Sequence, residues 1–84
     1  MQMTAEEIIE KVNNIFKDVL DNDNIKLNYE TTANDVEGWD SLNHIMLVVA
    51  IEKHFKIRFT SKEIHGFKNV GEMCDVIKNR LSNA

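Results

Sequence analysis

The sequence predicts an all-α fold: a small four-helix bundle with a long first loop and a short third helix. Three observations predict it. There is no proline and there are only three glycines among 84 residues, apolar residues recur with a 3.6-residue period over long stretches, and capping residues stand where those stretches begin. A chain of this length supports one hydrophobic core, so residues 1–84 are expected to form a single domain. Hydrophobic content of 43% beside 29% charged residues is that of a folded globular chain rather than a disordered one. So short a chain leaves little room for a full catalytic constellation, which favours binding or carrying over catalysis.

The first helix begins at a capping box, with Thr4 at the N-cap and Glu7 three residues on. Ile8, Val12, Ile15, Phe16, Val19 and Leu20 are spaced to share one face, with Asp, Asn and Lys filling the other. Asp21-Asn22-Asp23-Asn24 ends it, because these residues favour turns over helix interiors. That run of acids and amides is not a calcium loop: Lys26 stands where the sixth-position glycine would be, and Thr32 where the twelfth-position glutamate would be.

Residues 21–40 then make a connection far longer than the few residues usual between bundled helices. Ile25, Leu27, Tyr29, Val36 and Trp39 are the residues available to pin it to the core.

The second helix opens at Asp40-Ser41-Leu42 and is the most apolar in the chain: eight of the ten residues from Leu42 to Ile51 are apolar. At roughly 100° per residue they sort into two stripes. Leu47, Val48, Ile51 and Phe55 are expected in the core. Leu42, Ile45, Met46 and Val49 fall on the opposite side, and one helix of a small bundle cannot easily bury both. This second stripe either packs under the long loop, beneath Trp39 or Val36, or forms an exposed docking face.

Lys56-Ile57-Arg58-Phe59 alternates but is too short for an independent sheet, so an extended linker is expected, with Ile57 and Phe59 turned inward. Thr60 or Ser61 caps a short helix through His65, ended by Gly66. Asn69 and Glu72 repeat the capping-box spacing, and Val70, Met73, Cys74, Ile77 and Leu81 form the inner face of the last helix.

The formal net charge of −4 argues against nucleic-acid binding. The charge is uneven, with ten acids against three lysines in residues 1–40 and four acids against seven bases in residues 41–84. Cys74 is the only cysteine, so no intrachain disulfide forms and a reducing compartment is expected. The N-terminus lacks a signal pattern, and the second helix is too short and too soon interrupted by Glu52-Lys53 to span a bilayer. The expected location is the cytoplasm, and the expected state a monomer. His54 and His65 have no partners at metal-ligand spacing, and no metal site is expected. Asp40, Ser41 and His44 are the residue types of a hydrolase triad, but they crowd within five residues and lack a nucleophile elbow, so no catalytic residue is assigned.

Read as a local motif, Ser41 has two uses. Ser41 or Asp40 is an N-cap, or the hydroxyl carries a phosphate at the positive end of the helix. Asp40-Ser41-Leu42, followed by Ile51-Glu52-Lys53-His54-Phe55, resembles the acyl carrier protein family, and the resemblance runs from Thr4 to Leu81 in the family's order of elements. It implies a bundle of acyl-carrier type in which a transferase moves 4'-phosphopantetheine from coenzyme A onto Ser41, with Asp40 helping to hold the transferase's magnesium. It further implies acyl groups carried as thioesters on the arm, no enzymatic activity, and loading and transferring enzymes as partners docking on Leu42, Ile45, Met46, Val49 and Glu52.

His44, three residues after Ser41, is within reach of the phosphate on spacing. If the cargo is shielded, the expected pocket lies near Val48, Ile64 and Met73. The sequence also departs from the fatty-acid carriers it resembles. Where they bear a row of acids, Asn43, His44 and Met46 stand here, followed by Lys53, Lys56 and Arg58. Trp39 replaces the small residue common before the motif. A specialised lipid, polyketide or surface-polymer pathway is therefore expected, with an aminoacyl or peptidyl cargo, or a non-carrier interaction module, as the alternatives.

Overall fold

The computed structural model describes residues 3–82. Helix α1 runs Ala5–Leu20, α2 Ser41–Phe55, α3 Ser61–Gly66 and α4 Val70–Ser82, and a single 3-10 turn at Ala33–Asp35 interrupts the long loop. The principal helix packing is of α2 and α4 against α1. Ile8, Val12 and Phe16 of α1 meet Leu47, Val48 and Ile51 of α2 and Val70, Met73, Cys74 and Ile77 of α4 in one core. Ile15, Val19, Leu20 and Leu81, expected on the inner faces, are partly buried at its margin. No helix among the described residues is long and apolar enough to cross a membrane.

The cap of α1 forms as the sequence predicts. Thr4 and Glu7 exchange hydrogen bonds at the start of α1, the Thr4 N–H donating to Glu7 Oε1 at 3.0 Å and the Glu7 N–H to Thr4 Oγ1 at 3.1 Å. Thr60, not Ser61, caps α3, and it forms a second full box with Glu63. At α4 only half of the expected box appears. Asn69 Oδ1 accepts from the Glu72 N–H, but the Glu72 carboxylate reaches one residue further back, to the Lys68 N–H. Asp21 and Lys56 end α1 and α2 in the left-handed conformation, with φ of 51° and 59°.

The long loop is held at both sides of the bundle. Ile25 and Trp39 are buried, Leu27 and Val36 partly so, while Tyr29 is exposed and acts through its backbone. Its carbonyl accepts from the Gly71 N–H at 2.8 Å, and the Thr31 carbonyl from the Val70 N–H at 2.9 Å, so two otherwise unpaired donors in the first turn of α4 are satisfied by the loop. The approach requires glycine, since a Cβ on residue 71 would stand 2.8 Å from the Tyr29 carbonyl oxygen. On the other side, Asn13 of α1 donates to the Ile25 carbonyl at 3.2 Å and accepts from the Leu27 N–H at 2.7 Å. Ile57 and Phe59 turn inward from the linker after α2, with Arg58 exposed between them, as the alternation predicts.

Candidate functional site

The loop delivers the chain to α2 through a tight turn at Gly38, whose φ of +90° favours glycine. Trp39 is then buried edge-on against Phe16, with ring centroids 4.9 Å apart. That contact anchors the residue before Asp40 to the centre of the core. Asp40 is the N-cap: its Oδ1 accepts from the Asn43 N–H at 2.8 Å. Asn43 in turn donates through Nδ2 to the Gly38 carbonyl at 2.7 Å, closing the turn.

The two uses open to Ser41 are thereby separated. Asp40 does the capping, and Ser41 becomes the first helical residue, exposed, its hydroxyl in no hydrogen bond with any described residue. The backbone N–H groups of Ser41 and Leu42 lie in the first helical turn and have no intrahelical acceptor. An anion on the Ser41 oxygen would therefore meet unpaired donors and the positive end of a fifteen-residue helix.

His44 is not free to turn to such an anion. Its Nδ1 accepts from the Trp39 indole N–H at 3.0 Å, and its Nε2 lies 2.8 Å from the Ile64 carbonyl oxygen. Indole nitrogen is a donor only, so the shared proton pattern assigns the neutral Nε2–H tautomer, donating to Ile64. Both ring nitrogens are occupied, and the phosphate contact that spacing allows is replaced by a brace from the loop through α2 to α3. Phe67 packs edge-on to the His44 ring, with centroids 6.4 Å apart, and to Phe59 at 5.4 Å.

A groove of about 610 Å³ opens beside Ser41, lined among others by Trp39, His44, Ile45, Ile64, Phe67 and Lys68. Of the three residues expected around a shielded pocket, Ile64 lines this groove. Val48 and Met73 are instead packed into the core. The Cys74 thiol, buried on the inner face of α4, is pushed up to about 12 by desolvation and so stays protonated; it is a small core residue rather than a nucleophile.

The five residues expected to meet a partner divide. Leu42, Met46, Ile45 and Val49 are 73%, 52%, 45% and 42% exposed, forming one strip that runs from Ser41 along α2. The long loop does not cover it. Glu52 is half-buried, and its Oε2 accepts from the Phe59 N–H at 2.8 Å. Its carboxylate is committed to holding the linker against α2, a role invisible in local spacing. The sequence signal also missed Asn13 and the Trp39–His44–Ile64 brace. A buried tryptophan whose N–H needs a partner, five residues from a histidine, was the available clue to the second. Among the described residues no cluster of three or more His, Cys, Asp or Glu could hold a metal ion.

Residues 10–77 match the family model described as "Phosphopantetheine attachment site". The acyl carrier protein of Thermosynechococcus vestitus is 31% identical over 80 residues, covering 95% of this chain and 99% of that one. The acyl carrier protein of Clostridium acetobutylicum is 32% identical over 71 residues, covering 84% and 92%. The solution NMR structure of the holo acyl carrier protein from Geobacter metallireducens superposes with a TM-score of 0.84 at 41% identity, covering 90% of this chain and 87% of that one.

Proposed function

The chain belongs to the phosphopantetheine-bearing acyl carrier protein family, and from that membership we propose that its arm is attached at Ser41 and presented to partners along the exposed strip of α2. The single observation that carries the assignment is the division of labour at the start of α2: Asp40 caps the helix, leaving the Ser41 hydroxyl exposed and without a hydrogen bond to any described residue. A hydroxyl needed for capping would be engaged; this one is available to a transferase.

The surroundings fit the group. The first-turn N–H groups and the helix dipole favour the negative charge that a phosphodiester brings, and the adjoining groove offers an apolar wall from Ile45, Ile64 and Phe67 beside the basic Lys68. When attached, 4'-phosphopantetheine supplies the terminal thiol that holds acyl groups as thioesters. The protein's own residues do the rest. Trp39 and Gly38 set the position of the helix start, Asp40 fixes its direction through Asn43, and Leu42, Ile45, Met46 and Val49 offer apolar area to a docked enzyme. Asp40 has one carboxylate oxygen outside the cap bond, available to the transferase's magnesium. This chain is a carrier and not an enzyme; residues 1–84 act as one carrier domain, in the cytoplasm, with a transferase and acyl-handling enzymes as partners.

A specialised pathway is favoured over housekeeping fatty-acid synthesis because Asn43, His44 and Met46 stand in α2 where the fatty-acid carriers bear a row of acids, and the acid that does occur there, Glu52, is bound to the linker. Intact mass after co-expression with a broad-specificity phosphopantetheinyl transferase tests the attachment. The wild-type chain is expected to gain one arm and Ser41→Ala none, with unchanged helicity. An arm on the alanine variant would move the site elsewhere.

A further inference from the structure

The outer face of α2 does not end where its apolar strip ends. Continuing the helical spacing from Leu42, Ile45, Met46 and Val49 brings Lys53 onto the same line, and Lys56, the left-handed C-cap, follows it where the helix ends. Both are exposed, and Arg58 follows, exposed in the linker. These three cations share one concavity with Val49, Glu52 and Ile57. None of them is in an ion pair, since among the described residues the only one is Arg80–Glu63; the Glu52 carboxylate, which accepts from the Phe59 N–H, lines the same concavity and offsets one of the three positive charges. At the other end of the strip stands Asp40, the exposed N-cap of α2. One face of the molecule therefore reads acid, then Ser41 and apolar residues, then base, in the order of the chain.

Resting on the carrier reading above, we propose that this face docks a partner enzyme bearing an acidic patch, seated against Lys53, Lys56 and Arg58. Ser41 and Lys53 are twelve residues apart on one helix, so the acidic patch lies about 18 Å from the mouth of the channel that receives the arm. Apolar contacts at Leu42, Met46 and Val49 supply burial, and the two ends of opposite charge set the direction in which the carrier lies down. Reversing that direction would put Asp40 against the partner's acids, and like charges brought together select against the wrong pose. An anionic membrane is a poorer occupant, since the net charge of −4 opposes its approach.

The probe is a fatty-acid ketosynthase with a basic carrier-docking patch, together with the same enzyme in which that patch is changed to glutamates. Binding of the holo carrier and of its Lys53→Glu/Lys56→Glu/Arg58→Glu variant is measured at low and high salt, after intact mass confirms the arm on both. The wild-type carrier is expected to bind the acidic version about tenfold more tightly than the basic one at low salt, with the difference shrinking as salt is raised. The triple variant should invert the order. No preference, a preference for the basic enzyme, or an order that the triple variant leaves unchanged overturns the proposal. So does tighter binding to vesicles of equal parts phosphatidylcholine and phosphatidylglycerol than to either enzyme. A second variant, Lys53→Gln/Lys56→Gln/Arg58→Gln, guards against a folding effect and is expected to abolish the preference without inverting it. Failure of the wild-type chain to accept the arm would instead count against Ser41, whereas arm attachment without charge preference overturns only this inference.

Discussion

Helices α1 and α2 are nearly equal in length, sixteen and fifteen residues, yet they use their apolar side chains in opposite ways. The apolar residues of α1 fall in one stripe, and Ile8, Val12 and Phe16 are fully buried by it. Those of α2 fall in two. Leu47, Val48, Ile51 and Phe55 are buried against α1 and the rest of the core, while Leu42, Ile45, Met46 and Val49 stay in water. A helix whose only task is to hold the bundle together has no reason to expose a contiguous apolar strip, because it adds nothing to folding and invites association. The outward strip of α2 is therefore read as a surface for a partner, and the inward one as structure.

If that division is right, substitutions on the two faces should separate cleanly. The largest effect is expected at Phe16, which is completely buried and packs edge-on against Trp39. Phe16→Ala should lower the stability measured by urea unfolding by about 3–5 kcal/mol and, by loosening Trp39, weaken arm attachment as well. The brace behind the site comes next. Trp39→Phe removes the indole N–H and leaves His44 Nδ1 without its donor, at a cost of about 1–3 kcal/mol. The amide shifts of α3 are expected to move, because His44 also holds the Ile64 carbonyl.

A smaller effect is expected from acid. Glu63 is held below the ordinary glutamate range, first by the Thr60 N–H it accepts and then by Arg80; Glu7 is lowered in the same way by the Thr4 N–H. A carboxylate with a depressed folded value adds stability that is complete above its unfolded value, near 4.5, and is lost as pH falls through the lower folded one. Stability should therefore decline below pH 4.5, and Glu63→Gln should flatten that decline in urea titrations run at successive pH values. The smallest change in stability is expected on the outer strip. Leu42→Ala and Met46→Ala should each alter it by no more than about 0.5 kcal/mol, yet slow acyl transfer by partner enzymes. A loss comparable with that of Phe16→Ala would mean that the strip is part of the core after all.

The sequence by itself determined the helices, the cap of α1, the one or two candidates for each cap of α2 and α3, and the candidate serine, because each of these depends on residues within a turn of one another. Thr4 with Glu7, Thr60 with Glu63, and Asp40 three residues before Asn43 are all visible as spacings. Its periodicity also divided α2 into two stripes and named the inner one. The tertiary structure alone decided the contacts that span the chain: Asn13 holding Ile25 and Leu27, Tyr29 meeting Gly71, and His44 reaching Ile64. Their partners are brought together only by packing, and no local rule distinguishes these side chains from solvated ones. The same holds for Glu52, which reads as a surface acid but closes on the Phe59 backbone. It holds equally for the outer strip of α2, since whether a loop of twenty residues covers a helix or leaves it open depends on where its own hydrophobes find the core.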